Sequence, residues 1–248
     1  MPGNSRVLRM LAMAPVDRLP PPPAVPVRSP PAAVKGEVEV RIDGIAGGPA
    51  IEARVAVFAG AERAVVLCHP HPLYGGSMHS PVPLAIAKYI SEAAGGLVTF
   101  ARFNFRGVGS SEGTYDDGRG EVDDALAVIA YVRAAAQGIP LAICGHSFGS
   151  AVALTAAARD GGIDRALLVA PSARFFAAPE GAFRCAARVT IFIGDSDEFC
   201  DVTEARALAA ALGADLRVFE GFDHHFLKSR RALAEAALPV IAPEVSFP

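Results

Sequence analysis

Ser147 stands at the centre of Gly145-His146-Ser147-Phe148-Gly149, between the apolar run Leu141-Ala142-Ile143-Cys144 and the helix-compatible stretch from Ser150 to Ala158. A serine hydroxyl is a weak nucleophile at neutral pH; it needs a base to take its proton and a third group to hold that base in the right tautomer. Strand, sharp turn and helix with a serine at the apex make a nucleophile elbow, whose flanking glycines let strand and helix approach each other. The pentapeptide alone also suits an ordinary turn. The strand signal before it and the helix signal after it favour the nucleophile.

Base and acid are offered by two further strand ends. Arg188 to Ile193 reads as a strand and runs into Gly194-Asp195-Ser196-Asp197-Glu198, while Leu216 to Glu220 runs into Gly221-Phe222-Asp223-His224-His225-Phe226. Groups just past parallel strands reach one edge of the sheet, where the elbow also lies. Asp197 is preferred to Asp195 because, three residues past the strand-terminal glycine, it has room to turn back toward a histidine. His224 is preferred to His225 because Phe226 and Leu227 are expected to bury the loop behind it. Neither choice is closed at this level, since either aspartate also suits a turn or a helix entry.

Attack on a carbonyl creates an oxyanion, which calls for two preorganised N–H donors. Phe148, just after the serine and at a helix N-terminus, is one candidate. The other belongs in the loop after the apolar run Ala64 to Cys68, which reads His69-Pro70-His71-Pro72-Leu73-Tyr74-Gly75-Gly76-Ser77-Met78. His71 is the first choice, its N–H lying between two prolines that cannot donate; Leu73 or Tyr74 could replace it. Tyr74, Met78, Phe175 and Phe176 are candidates to line an acyl pocket, with core packing an equally good account of each. His69-Pro70-His71 also has an H-x-H zinc spacing, but no acidic ligand follows at a metallohydrolase spacing, so no metal is expected. Gly107-Val108-Gly109 and Gly113 miss the dinucleotide spacing, and no cofactor is expected.

These groups must be placed by a sheet. Val38 to Ile42 and Ile51 to Val57 alternate apolar and charged residues, the signature of an antiparallel pair with one wet face. Ala64 to Cys68 is continuously apolar and reads as a strand buried on both faces. Beyond it, strand and helix signals alternate to the terminal helix near Lys228. The expected fold class is α/β, a mostly parallel eight-stranded sheet with helices on both faces and right-handed crossovers. Only residues 171–187 separate the strands before and after them, too few for a large cap, so the cleft should be open.

At 248 residues the chain fits one such domain. Residues 1–35, with Pro20 to Pro23, Pro26, Pro30 and Pro31, read as a disordered extension, a linker more readily than a docking tail; residues 36–248 read as the domain. A net charge of -3 and a pI near 6.1 give no basic footprint for nucleic acid. No apolar run approaches the roughly 18 residues that span a bilayer. Arg9 and Pro15 interrupt what would otherwise resemble a signal peptide, and the expected location is cytoplasmic. Cys68, Cys144, Cys185 and Cys200 lack metal or C-x-x-C spacing and read as reduced thiols.

The motifs His69 to Met78, Arg102-Phe103-Asn104-Phe105-Arg106-Gly107, Gly145 to Gly149, Gly194 to Glu198 and Asp223-His224 together resemble a family of small bacterial α/β-hydrolases similar to dienelactone hydrolases and the serine aminopeptidase-like group. The resemblance runs from about Val38 to the terminal helix. It implies an α/β-hydrolase fold, with Ser147 as nucleophile, Asp197 as acid and His224 as base, in the chain order of that fold's triads. The chain departs from the family pattern at Phe199-Cys200-Asp201, where an aliphatic residue and proline are usual, at the second histidine His225, and in the proline-rich extension. The expected activity is that of a cofactor-independent serine hydrolase working through an acyl-enzyme on a small-molecule carboxylic ester or thioester. Peptidase or amidase chemistry with the same triad is one alternative, and a non-catalytic binding protein on the same fold is another.

Overall fold

The continuous apolar runs and the alternating ones both become strands. In this computed structural model, which describes residues 34–175 and 185–245, the strands are β1 (Val38–Ile42), β2 (Ile51–Ala56), β3 (Arg63–Cys68), β4 (Val98–Phe103), β5 (Leu141–His146), β6 (Ile163–Val169), β7 (Arg188–Gly194) and β8 (Asp215–Phe219). They form one sheet in the order β1-β2-β4-β3-β5-β6-β7-β8. Its pairings are antiparallel at β1/β2 and β2/β4 and parallel elsewhere. The helices are α1 (Pro81–Ala93), α2 (Arg119–Ala135), α3 (Phe148–Asp160), α4 (Val202–Leu212) and α5 (Arg230–Ile241).

Strand β3 shows why its run carries no polar alternation. Ala64, Val66 and Cys68 pack into a core shared with α2 and α3, while Val65 and Leu67 pack into another shared with α1 and α5. Successive side chains point to opposite faces, and helices cover both. Local chemistry sets the helix starts: Asp201 accepts the Glu204 N–H at 2.8 Å to open α4, and Ser229 accepts the Ala232 N–H at 3.0 Å to open α5. Each cap stabilises by about 1 kcal/mol.

Core packing includes a residue before 36. Val34 is buried in the α1/α5 core and its N–H donates to Glu37 Oε2 at 3.1 Å. The rest of the proline-rich extension lies outside the described residues. Between β6 and β7 a single 3-10 turn, Ala173–Phe175, is described, and the connection is too short for a large cap. No helix among the described residues is long and apolar enough to cross a membrane.

Candidate active site

Strand β5 ends at His146 and α3 begins at Phe148, leaving Ser147 alone at the turn with φ 55° and ψ -119°. Such a conformation costs a non-glycine residue about 1–3 kcal/mol and persists only where its surroundings enforce it. The glycines explain how they do. A Cβ on Gly145 would lie 2.0 Å from the Gly149 carbonyl oxygen, and one on Gly149 would lie 2.4 Å from that of His69. Helix α3 therefore packs backbone to backbone against β5 and the end of β3. Ser147 N–H donates to Val169 O at 2.9 Å, and the Ser150 hydroxyl donates to Gly145 O at 2.8 Å, a stitch that the sequence did not announce.

Asp197 follows the end of β7 and His224 follows β8, and the two side chains meet. His224 Nδ1 lies 2.9 Å from Asp197 Oδ2 and 3.0 Å from Oδ1. Asp197 Oδ1 also accepts the N–H groups of Phe199 at 2.8 Å and Cys200 at 3.0 Å, so the carboxylate is fixed from both sides. Asp195 is engaged elsewhere: its Oδ1 accepts the Gly221 N–H at 2.7 Å and the Ser196 hydroxyl at 3.1 Å, tying the acid loop to the base loop. His225 is exposed at the rim. Phe226 does bury the loop, packed against Phe219 and Phe222, but Leu227 is 64% exposed, contrary to expectation. No hydrogen bond among the described residues joins Ser147 Oγ to His224 Nε2, and neither atom has another partner. Catalytic contacts of this kind are often long until substrate draws them together.

The loop after β3 is built around its two histidines. His69 Nδ1 donates to Pro70 O at 2.6 Å and its Nε2 accepts the Phe105 N–H at 3.0 Å, clamping this loop to the one after β4. His71 Nδ1 accepts the Leu73 N–H at 3.2 Å, so Nε2 carries the proton and faces the Tyr115 hydroxyl oxygen at 3.2 Å. Both rings have both nitrogens occupied, which leaves the H-x-H pair no lone pair for a metal. Leu73 and Tyr74 spend their N–H groups on His71, Tyr74 donating to His71 O at 3.1 Å. The N–H groups of His71 and Phe148 have no partner among the described residues, and these are the two candidate oxyanion donors.

An aromatic wall stands beside those donors. The His71 ring lies 4.8 Å from Phe148, 4.9 Å from Tyr74, 5.0 Å from Tyr115 and 5.3 Å from Phe175, measured between centroids. Tyr74 and Phe175, both candidates for an acyl pocket, thus lie beside His71. Tyr115, in a turn-rich stretch with no local signal, joins them. Phe176 lies outside the described residues. Met78 departs from the expected pocket role: its side chain is wholly buried, because its backbone is held from both ends. Asn104 Oδ1 accepts its N–H at 2.8 Å, and Arg102 Nη1 donates to its carbonyl at 2.9 Å. Arg102 is itself fully buried with Glu37, at 2.5 Å. Across the cleft, Phe199 packs edge-on to His224 at 4.8 Å.

Three of the buried histidines make the stability of this site depend on pH. Burial pushes His69 and His146 down to about 3 and His71 to about 4; His79 and His225 move the same way for the same reason. The unfolded chain titrates near 6.5, so between the two values the native state holds fewer protons than the unfolded one. Stability is then complete above about pH 6.5 and is lost as pH falls toward 4, with a slope of about 1.4 kcal/mol per pH unit for each histidine. Glu121 and Asp124, whose carboxyls burial pushes up, oppose this at the acid end. Urea unfolding at stepped pH is expected to show the decline, and a flat profile between pH 6.5 and about 4.5 would contradict neutral buried rings.

Over residues 61–179 the sequence matches the family described as serine aminopeptidase, S33. It is 31% identical over 190 residues to an uncharacterized protein of Rickettsia prowazekii, covering 71% of this chain and 77% of that one. Among solved structures, an α/β serine hydrolase homologue from Coxiella burnetii is 30% identical with a TM-score of 0.73, covering 85% of this chain and 100% of the other. A Xanthomonas campestris protein described as a member of the α/β serine hydrolases without a lid is 29% identical with a TM-score of 0.72, covering 88% and 100%.

Proposed function

Because this chain belongs to the α/β serine hydrolase family, we propose that it cleaves a small carboxylic ester or thioester through an acyl-enzyme on Ser147. Ser147 Oγ attacks the carbonyl carbon while His224 Nε2 takes its proton, and Asp197 holds the opposite Nδ1–H and steadies the imidazolium. The N–H groups of His71 and Phe148 receive the oxyanion, where each such donor lowers the barrier by about 3–4 kcal/mol. His224 returns the proton to the departing alcohol or thiol. Water, deprotonated by the same histidine, then attacks the acyl-enzyme and regenerates Ser147. The aromatic wall of Tyr74, Tyr115, Phe148 and Phe175 receives the acyl group. The reaction requires no cofactor, and the cytoplasm would keep the four free cysteines reduced.

One observation carries this reading: the 2.9 Å contact of His224 with Asp197, at the strand ends beside a serine held in a strained turn. A solvated turn carboxylate would not accept two main-chain N–H groups and an imidazole together. The test is labelling with a fluorophosphonate, followed by competition between short-chain aryl esters, thioesters and aminoacyl amides. Stoichiometric modification of Ser147 with ester or thioester turnover is expected. Faster turnover of the amides would move the reading to a peptidase or amidase, and an unlabelled, inactive protein would make it a binding protein.

A further inference from the structure

His146 precedes the nucleophile and has no part in the proton transfers just described. It is buried, and its Nε2 lies 3.0 Å from the main-chain carbonyl oxygen of His224. A carbonyl only accepts, so Nε2 carries the proton and Nδ1 presents a lone pair. That Nδ1 is buried with no hydrogen-bond partner among the described residues. An orphaned acceptor bears the full desolvation penalty of its burial, whereas an apolar side chain of similar size would fill the same space without it. What the imidazole supplies at this position, against that penalty, is its Nε2–H.

The bond matters because, among the described residues, no hydrogen bond joins the side chains of Ser147 and His224 to fix their separation. Anchors on the main chain of each do so instead. Ser147 N–H is anchored on Val169 O at 2.9 Å, and one residue earlier the His146 ring is anchored on His224 O. Resting on the serine-hydrolase reading, we propose that His146 is a positioning residue that holds the main chain of the base His224 against the nucleophile elbow.

The donor must also be uncharged. The His146 ring is 5.2 Å from that of His224 and 6.0 Å from that of His225. Burial, then the charges of His224, His225 and Arg230, push His146 down to about 3, so it remains neutral at any working pH. A lysine or arginine donor here would set a permanent positive charge beside the imidazolium that His224 must become, and would oppose proton uptake from Ser147.

Two variants test this on an activated ester. His146→Leu removes the donor, and His146→Gln carries an amide N–H to nearly the position of Nε2. In His146→Leu, kcat is expected to fall by about 10- to 100-fold, the size of loss that roughly 1 Å of misplacement causes. KM should stay within about twofold, and the acidic limb of the kcat/KM profile should move to lower pH as Asp197 holds the base less firmly. His146→Gln should recover most of the lost kcat and return the limb to its original place. Wild-type kcat and pH profile in His146→Leu would overturn the proposal, as would a glutamine variant no better than the leucine one. Should the leucine variant fail to fold by circular dichroism, His146→Asn replaces it, because its amide reaches the Nδ1 position instead. Glutamine active with asparagine impaired supports the clamp, and the reverse order or equal activity overturns it. A wild-type protein that neither labels nor hydrolyses any acyl substrate would remove the hydrolase reading itself; an active protein indifferent at position 146 would remove this inference alone.

Discussion

Ser147→Ala is expected to lower kcat/KM by about 10⁴- to 10⁶-fold and to abolish fluorophosphonate labelling, while Ser147→Gly loses the same activity and gains stability. The loss follows because no other hydroxyl occupies the apex of the elbow; Ser150 spends its own on Gly145 O and Val169 O. The gain follows from the backbone. At φ 55° and ψ -119° a Cβ is strained by about 1–3 kcal/mol, and alanine keeps that Cβ where glycine does not. Glycine also enlarges the entropy of the unfolded chain, which offsets about 0.5–1 kcal/mol of the relief. Ser147 Oγ has no hydrogen-bond partner among the described residues, so its removal adds no penalty in either variant. The glycine variant should therefore unfold at a higher urea concentration than the alanine variant, with both equally inactive. Turnover within tenfold of wild type in the alanine variant would mean another nucleophile, and a glycine variant less stable than the alanine one would mean that the turn is not strained.

Strain at Ser147 and a buried His146 Nδ1 with no partner among the described residues both mark places where local preference yields to tertiary structure. They also mark what a sequence shows and what it hides. Strands β3 and β5 were legible because an inner parallel strand must be apolar on both faces, and the elbow was legible because its glycines answer a backbone contact that no side chain permits. An aspartate and a histidine past two strand ends were legible as residue types, and the structure brings Asp197 and His224 into contact. Choosing Asp197 over Asp195 rested on the reach of a loop, and what separates them physically is that Asp195 meets the Gly221 N–H, 26 residues away. Contacts of long range left no local trace. His146 meets a carbonyl 78 residues away and Tyr115 meets His71 44 residues away. Arg102 lies on the same face of β4 as the core residues Val98 and Phe100, and its burial there is matched by Glu37, 65 residues earlier, whose side chain is buried with it. The sequence left Met78 open between pocket and core and misplaced Leu227 for the same reason: the partners that bury or release them are set by tertiary packing, not by neighbours in the chain.

Asp197→Asn is expected to lower kcat by about 10³- to 10⁴-fold, while Asp195→Asn changes it by less than about threefold. The two positions are two residues apart and differ in what their oxygens face. Asp197 meets only donors: the Phe199 and Cys200 N–H groups and the His224 Nδ1–H. An asparagine there keeps Oδ1 on the main-chain donors and turns its amide N–H toward Nδ1. The imidazole then accepts at Nδ1 and carries its proton on Nε2, the tautomer that has no lone pair for the proton of Ser147. The fold can survive this exchange with the reaction blocked at its first step. At position 195 the essential contact is acceptance of the Gly221 N–H at 2.7 Å, which an amide oxygen also provides, so the base loop stays in place. The same asymmetry is expected in His224→Ala and His225→Ala, the first inactive and the second near wild type, because only His224 touches the acid. Steady-state kinetics on the four variants, with unfolding measured alongside, would decide the assignment. Equal losses at 195 and 197, or a larger loss at 195, would show that Asp197 is not the group that holds the base.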